Sequence, residues 1–113
     1  MAPGKFIGML FQSRDAMHIA HLQTTSFAEH KALNGYYDEI LDLTDKFSEV
    51  YFGRNKRVEI IIPESKNMES IAHLKEMQSM LDSERDNYSS ELQNIIDEML
   101  SLVNKTLYLL TLS

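Results

Sequence analysis

The stretch FAEHKALNGYYDEILDLTDKFSEVYFG, residues 27–53, decides the fold. Leu33, Tyr37, Ile40, Phe47 and Tyr51 recur at helical spacing with Leu43 at their edge, which predicts one long amphipathic helix. Thr44 falls inside that stripe, and its hydroxyl can bond back to the Ile40 carbonyl, so the interruption is tolerable. Ser26 followed by Glu29 fits a capping box at the start, and Gly53 marks the end. Gly35 costs ~1 kcal/mol relative to alanine in a helix interior. It is read either as tolerated or as a point where a neighbouring helix comes close.

Working outward, a first helix is expected from about Lys5 to His21, with Phe6, Leu10, Met17 and Ala20 on one side. The cluster Thr24–Thr25–Ser26 separates it from the second. A third is expected from about Ser65 to Leu81 with Ile71, Leu74, Met77 and Leu81 inward. A fourth is expected from about Ser90 to Leu112, with Leu92, Ile95, Ile96, Met99, Val103, Leu107 and Leu110 on one broad face. Between the second and third lies Gly53 to Ser65. Its Val58–Ile62 run is β-prone and ends at Pro63, but no partner strand is legible, so it reads as an extended connection. These segments predict a single all-α domain over residues 1–113, a four-helix bundle with one long connection.

Composition narrows the function. The chain has 113 residues, a net charge of −6 and no cysteine. Disulfides, thiolate metal sites and cysteine nucleophiles are excluded. Arg54, Lys56 and Arg57 are too short a basic patch to suggest a nucleic-acid partner. No apolar run approaches the ~20 residues that span a bilayer, and Met1–Lys5 lacks the start of a signal peptide. A reducing, aqueous cell interior is the expected location.

The second helix carries another stripe: His30, Asn34, Asp38, Asp42, Asp45 and Glu49. A solvated acidic face is the usual fate of such a pattern. This one begins with a histidine, and His18 and His21 end the preceding helix, so a hairpin brings one of them near His30. His21 borders the apolar stripe of the first helix, whereas His18 points further toward solvent. Asp45 and Glu49, four apart, project from one face. His30 and Asp45 sit about 22 Å apart along one helix, too far to share a cation. An antiparallel two-fold partner could close the gap, giving a metal site that exists only in a dimer. Imidazole with carboxylate suits iron, zinc or manganese better than calcium or magnesium. Glu69, His73 and Glu76 are read as surface residues of the third helix. There is no His-Glu-x-x-His pattern, no Gly-rich phosphate loop and no legible Ser/His/Asp constellation.

At these residues the chain resembles the Dps family of mini-ferritins. The matching stretch is His18 to Gly53: His18-x-x-His21, Phe27-x-x-His30, Tyr37-Asp38-Glu39, then Asp45-x-x-x-Glu49. The resemblance implies a ferritin-like fold and an intersubunit ferroxidase centre, two histidines from one subunit facing an Asp/Glu pair of its mate. His30, Asp45 and Glu49 would take three ligand places. The first histidine is His21 by its surroundings or His18 by its spacing. Fe²⁺ would be oxidised by peroxide or oxygen and stored if a cage forms, with Asp38 or Asp42 as secondary carboxylates.

Several features depart from the family. Asn34 stands where an acid is usual, Leu22 where tryptophan is common, the chain is short, and a Lys-rich DNA-binding tail is missing. The motif His21-x-x-Thr24-Thr25-x-Phe27-Ala28-x-His30-x-Ala32-Leu33 is also similar to short proteins of tailed phages. That leaves an alternative expectation: a non-catalytic helical assembly protein, virion-associated or in the infected cell.

Overall fold

In a computed structural model, which describes residues 1–64 and 69–112, the chain forms four α-helices and no strand among those residues. They are α1 (Pro3–Gln23), α2 (Phe27–Arg54), α3 (Ser70–Glu84) and α4 (Ser90–Leu109), with a 3₁₀ turn at Arg85–Asn87. α1 opens with Pro3 in its first turn, where the missing N–H costs nothing. Ser26 caps α2 by accepting from the Glu29 amide, but Thr24 Oγ1, not the Glu29 carboxylate, takes the Ser26 N–H. The expected capping box is thus half formed. Thr44 donates to the Ile40 carbonyl at 2.6 Å, as the stripe required.

Helix directions follow from pairs along the chain. Ser13 meets His73, Lys46 meets Glu98, Arg54 meets Glu91 and Gln78 meets Asn104. α1 therefore runs antiparallel to α2 and α3, and α4 antiparallel to α2 and α3. α1 packs on α2, α2 on α4, α4 on α3 and α3 on α1, while α2 and α3 lie diagonally opposite. All four helices feed one core, in which Phe6, Leu10, Leu33, Ile40, Leu74 and Ile96 are fully buried. No helix among the described residues is long and apolar enough to cross a membrane.

Two parallel helices on a diagonal need a connection that returns along the whole molecule, and the segment after Arg54 provides it. It runs extended up α1: Ile61 N–H donates to the Gly4 carbonyl at 3.1 Å, and Gln12 Nε2 donates to the Glu64 carbonyl at 2.5 Å. A Cβ on Gly4 would strike the Glu59 carbonyl, and one on Gly8 the Ile61 carbonyl. These two glycines, one turn apart, form the groove that lets the strap touch the α1 backbone. A Cβ on Gly35, by contrast, would meet nothing within 4 Å among the described residues. Gly8→Ala is therefore expected to displace the strap and outweigh the ~1 kcal/mol that alanine gains in a helix. Trypsin should then cut faster after Arg54, Lys56 and Arg57, with a lower Tm. Gly35→Ala should stabilise the monomer by about 0.5–1 kcal/mol.

Other expectations shift. The second-helix stripe runs Leu33, Tyr36, Ile40, Thr44 and Phe47: Tyr36 is fully buried, and Tyr37 is only half-buried on the adjacent face. The third helix begins at Ser70, where the exposed Glu69 carboxylate caps the Ile71 and Ala72 amides. The expected start at Ser65 lies outside the described residues. Ile71 is exposed and His73 is buried, so the α3 face is rotated toward the Ser70–His73 side. α4 ends three residues earlier than expected, at Leu109, and Leu112 is exposed.

Candidate functional site at the α1–α2 hairpin

The three-residue corner Thr24–Ser26 folds the end of α1 onto the start of α2 and brings His21 against His30. The two rings stack, with centroids 3.7 Å apart and planes 18° from parallel. His21 Nδ1 lies 2.5 Å from the His30 carbonyl oxygen, and His30 Nδ1 lies 2.8 Å from the His21 carbonyl oxygen. A carbonyl only accepts, so each Nδ1 carries the proton. In the neutral rings both lone pairs then sit on Nε2. This fixing of one ring nitrogen by a carbonyl is the usual support of a metal-ligating histidine. His21 is buried and His30 half-buried, so the pair is held at the margin of the core.

His18 stands one turn earlier on α1 and stacks on Tyr37, with centroids 4.1 Å apart. The Arg14 guanidinium also lies over the Tyr37 ring, 5.5 Å from its centroid. Tyr37 also donates to Asn34 Oδ1 at 2.8 Å, so the amide oxygen that replaces the expected carboxylate is already engaged. Of the two possible first histidines, His21 is the one that meets His30.

The carboxylates lie elsewhere. Asp38, Asp42, Asp45 and Glu49 are all exposed along α2. Asp45 is about 22 Å from His30 by helical rise. Among the described residues no three His, Asp or Glu side chains of the one chain come together as a metal site. The donor types fit a transition metal, but one chain supplies only the imidazole half. The near-parallel rings impose a further condition. An imidazole binds a cation close to its own plane, at about 2.0–2.1 Å for zinc. Two stacked planes cannot both contain one ion, so each Nε2 addresses a separate position.

A second polar group was not anticipated. Ser13 Oγ lies 2.6 Å from the Tyr36 hydroxyl and 2.7 Å from His73 Nε2, and all three residues are buried. The available signal was Ser13 itself, a polar residue in the stripe between Leu10 and Met17. Burial pushes the Tyr36 hydroxyl up in pKa, with the Ser13 bond opposing. Burial likewise lowers His73, with Glu76 opposing.

Comparison with known proteins gives a family and a phage relative. A family described as of unknown function, DUF5856, matches residues 21–110. A protein of Enterobacteria phage T4, described as an uncharacterized 14.6 kDa protein in the mobD-ri intergenic region, is 30% identical over 112 residues. That match covers 96% of this chain and 87% of the phage protein. No solved structure matches the chain.

Proposed function

This chain belongs to the DUF5856 family, and we propose that it is a self-associating, ferritin-like helical protein that binds Fe²⁺ at a site shared between two copies. His21 and His30 of one copy supply imidazole nitrogen, and Asp45 and Glu49 of the other supply the carboxylates. The observation that carries this reading is the reciprocal Nδ1–carbonyl bonding of His21 and His30, which leaves both Nε2 lone pairs without a partner among the described residues. Two further observations support it. The one long crossover between diagonal helices is the connectivity of ferritin-like bundles. Ile19, Leu22 and Phe27, which are 49%, 69% and 74% exposed, give the hairpin an apolar surface for association.

Bound Fe²⁺ is the substrate in this reading, with peroxide or oxygen as the oxidant. The protein's part is to position it: one neutral imidazole of fixed tautomer at each of two neighbouring positions, with the partner copy's carboxylates offsetting the charge. Asn34, held by Tyr37, contributes no charge, which favours slow turnover. A second reading, a helical assembly protein without metal chemistry, is favoured by Asn34, a neutral amide already engaged by Tyr37 where the iron reading would use a carboxylate.

Anaerobic Fe²⁺ titration by calorimetry, with sedimentation velocity, separates the two. The iron reading expects an oligomer whose affinity falls about tenfold or more in His21→Ala and in His30→Ala, with His18→Ala near the unmodified protein. An oligomer that takes up no Fe²⁺, Zn²⁺ or Mn²⁺ leaves the assembly reading. A monomer at micromolar concentration defeats the shared site.

A further inference from the structure

The buried Ser13, Tyr36 and His73 join three helices through a single file of hydrogen bonds. His73 Nε2 and Ser13 Oγ tie α3 to α1, and Ser13 Oγ and Tyr36 tie α1 to α2. Only one proton arrangement satisfies all of them. With Nε2 unprotonated, Tyr36 donates to Ser13 and Ser13 donates to His73. With a proton on Nε2, His73 donates to Ser13, which then either turns its own proton toward Tyr36 or accepts from Tyr36 as well. Either way one hydroxyl proton, that of Ser13 or of Tyr36, has no acceptor in the file among the described residues, and both residues are fully buried. A buried donor without a partner is destabilising, because its lost hydration is not repaid.

We propose that this file is a proton-controlled latch: neutral His73 clamps α3 to the α1–α2 hairpin, and its protonation releases α3 from α1 and opens the cleft beside it. α3 rests mainly on α4 and touches α1 over a short length, so the latch is a large part of what holds that seam. The cleft, about 380 Å³, lies between α1, the strap and α3, with Met9, Ile61, Pro63 and Met77 as apolar walls and His73 at its edge. Among the described residues the charged groups lining it are Lys5 from α1, Glu64 from the strap and Glu76 from α3, with Met1, whose amino group pairs with Glu84, at its end. α2 presents the Tyr36 hydroxyl to the file, and among the described residues α4 places none in the cleft lining. Release would expose methionine and isoleucine surface at mildly acidic pH.

The sign of the effect follows from the same geometry. Burial holds His73 below the ordinary histidine pKa, with Glu76 in part opposing. The neutral clamp is complete above the ordinary value. Its contribution is lost as pH falls through the lowered value. The test is native-state hydrogen exchange of the full chain at pH 8 and pH 5, corrected for intrinsic rates. Opening of α3 should rise by up to about tenfold per pH unit in that window, while α2 amides near Ile40 change less. His73→Gln offers Ser13 an acceptor that cannot be protonated, and should abolish the dependence while leaving the three hairpin histidines in place. Equal α3 protection at pH 5 and pH 8 overturns the latch. So does a dependence that survives in His73→Gln, or ¹⁵N shifts that put the proton on His73 Nε2 at pH 8. If His73→Gln fails to fold, the α3 protection and the His73 ¹⁵N shifts of the unmodified chain decide the question.

Discussion

Truncating Phe47 to alanine is expected to lower the unfolding free energy by about 3–5 kcal/mol and the Tm by roughly 10–20 °C. Phe47 is fully buried. Its ring lies 5.0 Å from Phe6 of α1, 5.2 Å edge-on from Tyr88 just before α4, and 6.3 Å from Tyr51 of α2. Three elements therefore meet at one side chain, and the hole left by its removal is walled by other rings that cannot all move inward. Domains of this size carry only about 5–15 kcal/mol in total, so this single change removes a large share. Phe27 supplies the contrast on the same helix. It is 74% exposed, so Phe27→Ala should leave the monomer within about 0.5 kcal/mol. Thermal melts of both variants at low protein concentration check the pair. Equal destabilisation by both would mean that the packing around Phe47 is wrong.

Helix number, order and the α1–α2 hairpin were readable because periodicity is a local signal and each helix buries one stripe. Phase errors arose where the stripe is not purely apolar. Tyr36 and Tyr37 are adjacent, and pattern alone does not say which turns inward; the Leu33–Tyr36–Ile40 spacing decides it only once the helix is packed. In α3, Ile71 looked like a core residue, while His73 was assigned to the surface on polarity. Its partner Ser13 comes from another helix sixty residues away, and a polar residue welcomed into a core by a distant partner leaves no local mark. Gly8 shows the same limit. Its role is set by the Ile61 carbonyl, whereas Gly35, the glycine that attracted attention, faces open space. The histidine pair was legible in part: the hairpin predicted that His21 or His18 would approach His30, and packing selects His21. The stacking and the shared carbonyls are geometry that no spacing encodes.

Mixing His30→Ala with Asp45→Ala is expected to restore part of the metal binding that each variant lacks alone. The expectation comes from a contrast of distances. His21 and His30 touch, whereas Asp45 lies about 22 Å from His30 along α2. A shared site therefore needs two chains with α2 running in opposite senses. A two-fold dimer has two such sites, because an isologous contact uses the same residues twice. In either mutant homodimer both sites lack one ligand. In a heterodimer one site lacks both ligands and the other keeps its full native set. Random exchange of equal amounts makes half the dimers mixed, so about a quarter of all sites should regain native affinity. The recovered fraction should appear as a distinct tight phase in a Zn²⁺ or anaerobic Fe²⁺ titration, and grow only after subunits have had time to exchange. Exchange is followed independently by native mass spectrometry of isotope-labelled chains. If the chains demonstrably mix and no tight phase returns, then His30 and Asp45 do not serve one site. If Asp45→Ala alone binds metal as the unmodified protein does, the carboxylate half of the site is a solvated acidic face, and the histidine pair stands apart from it.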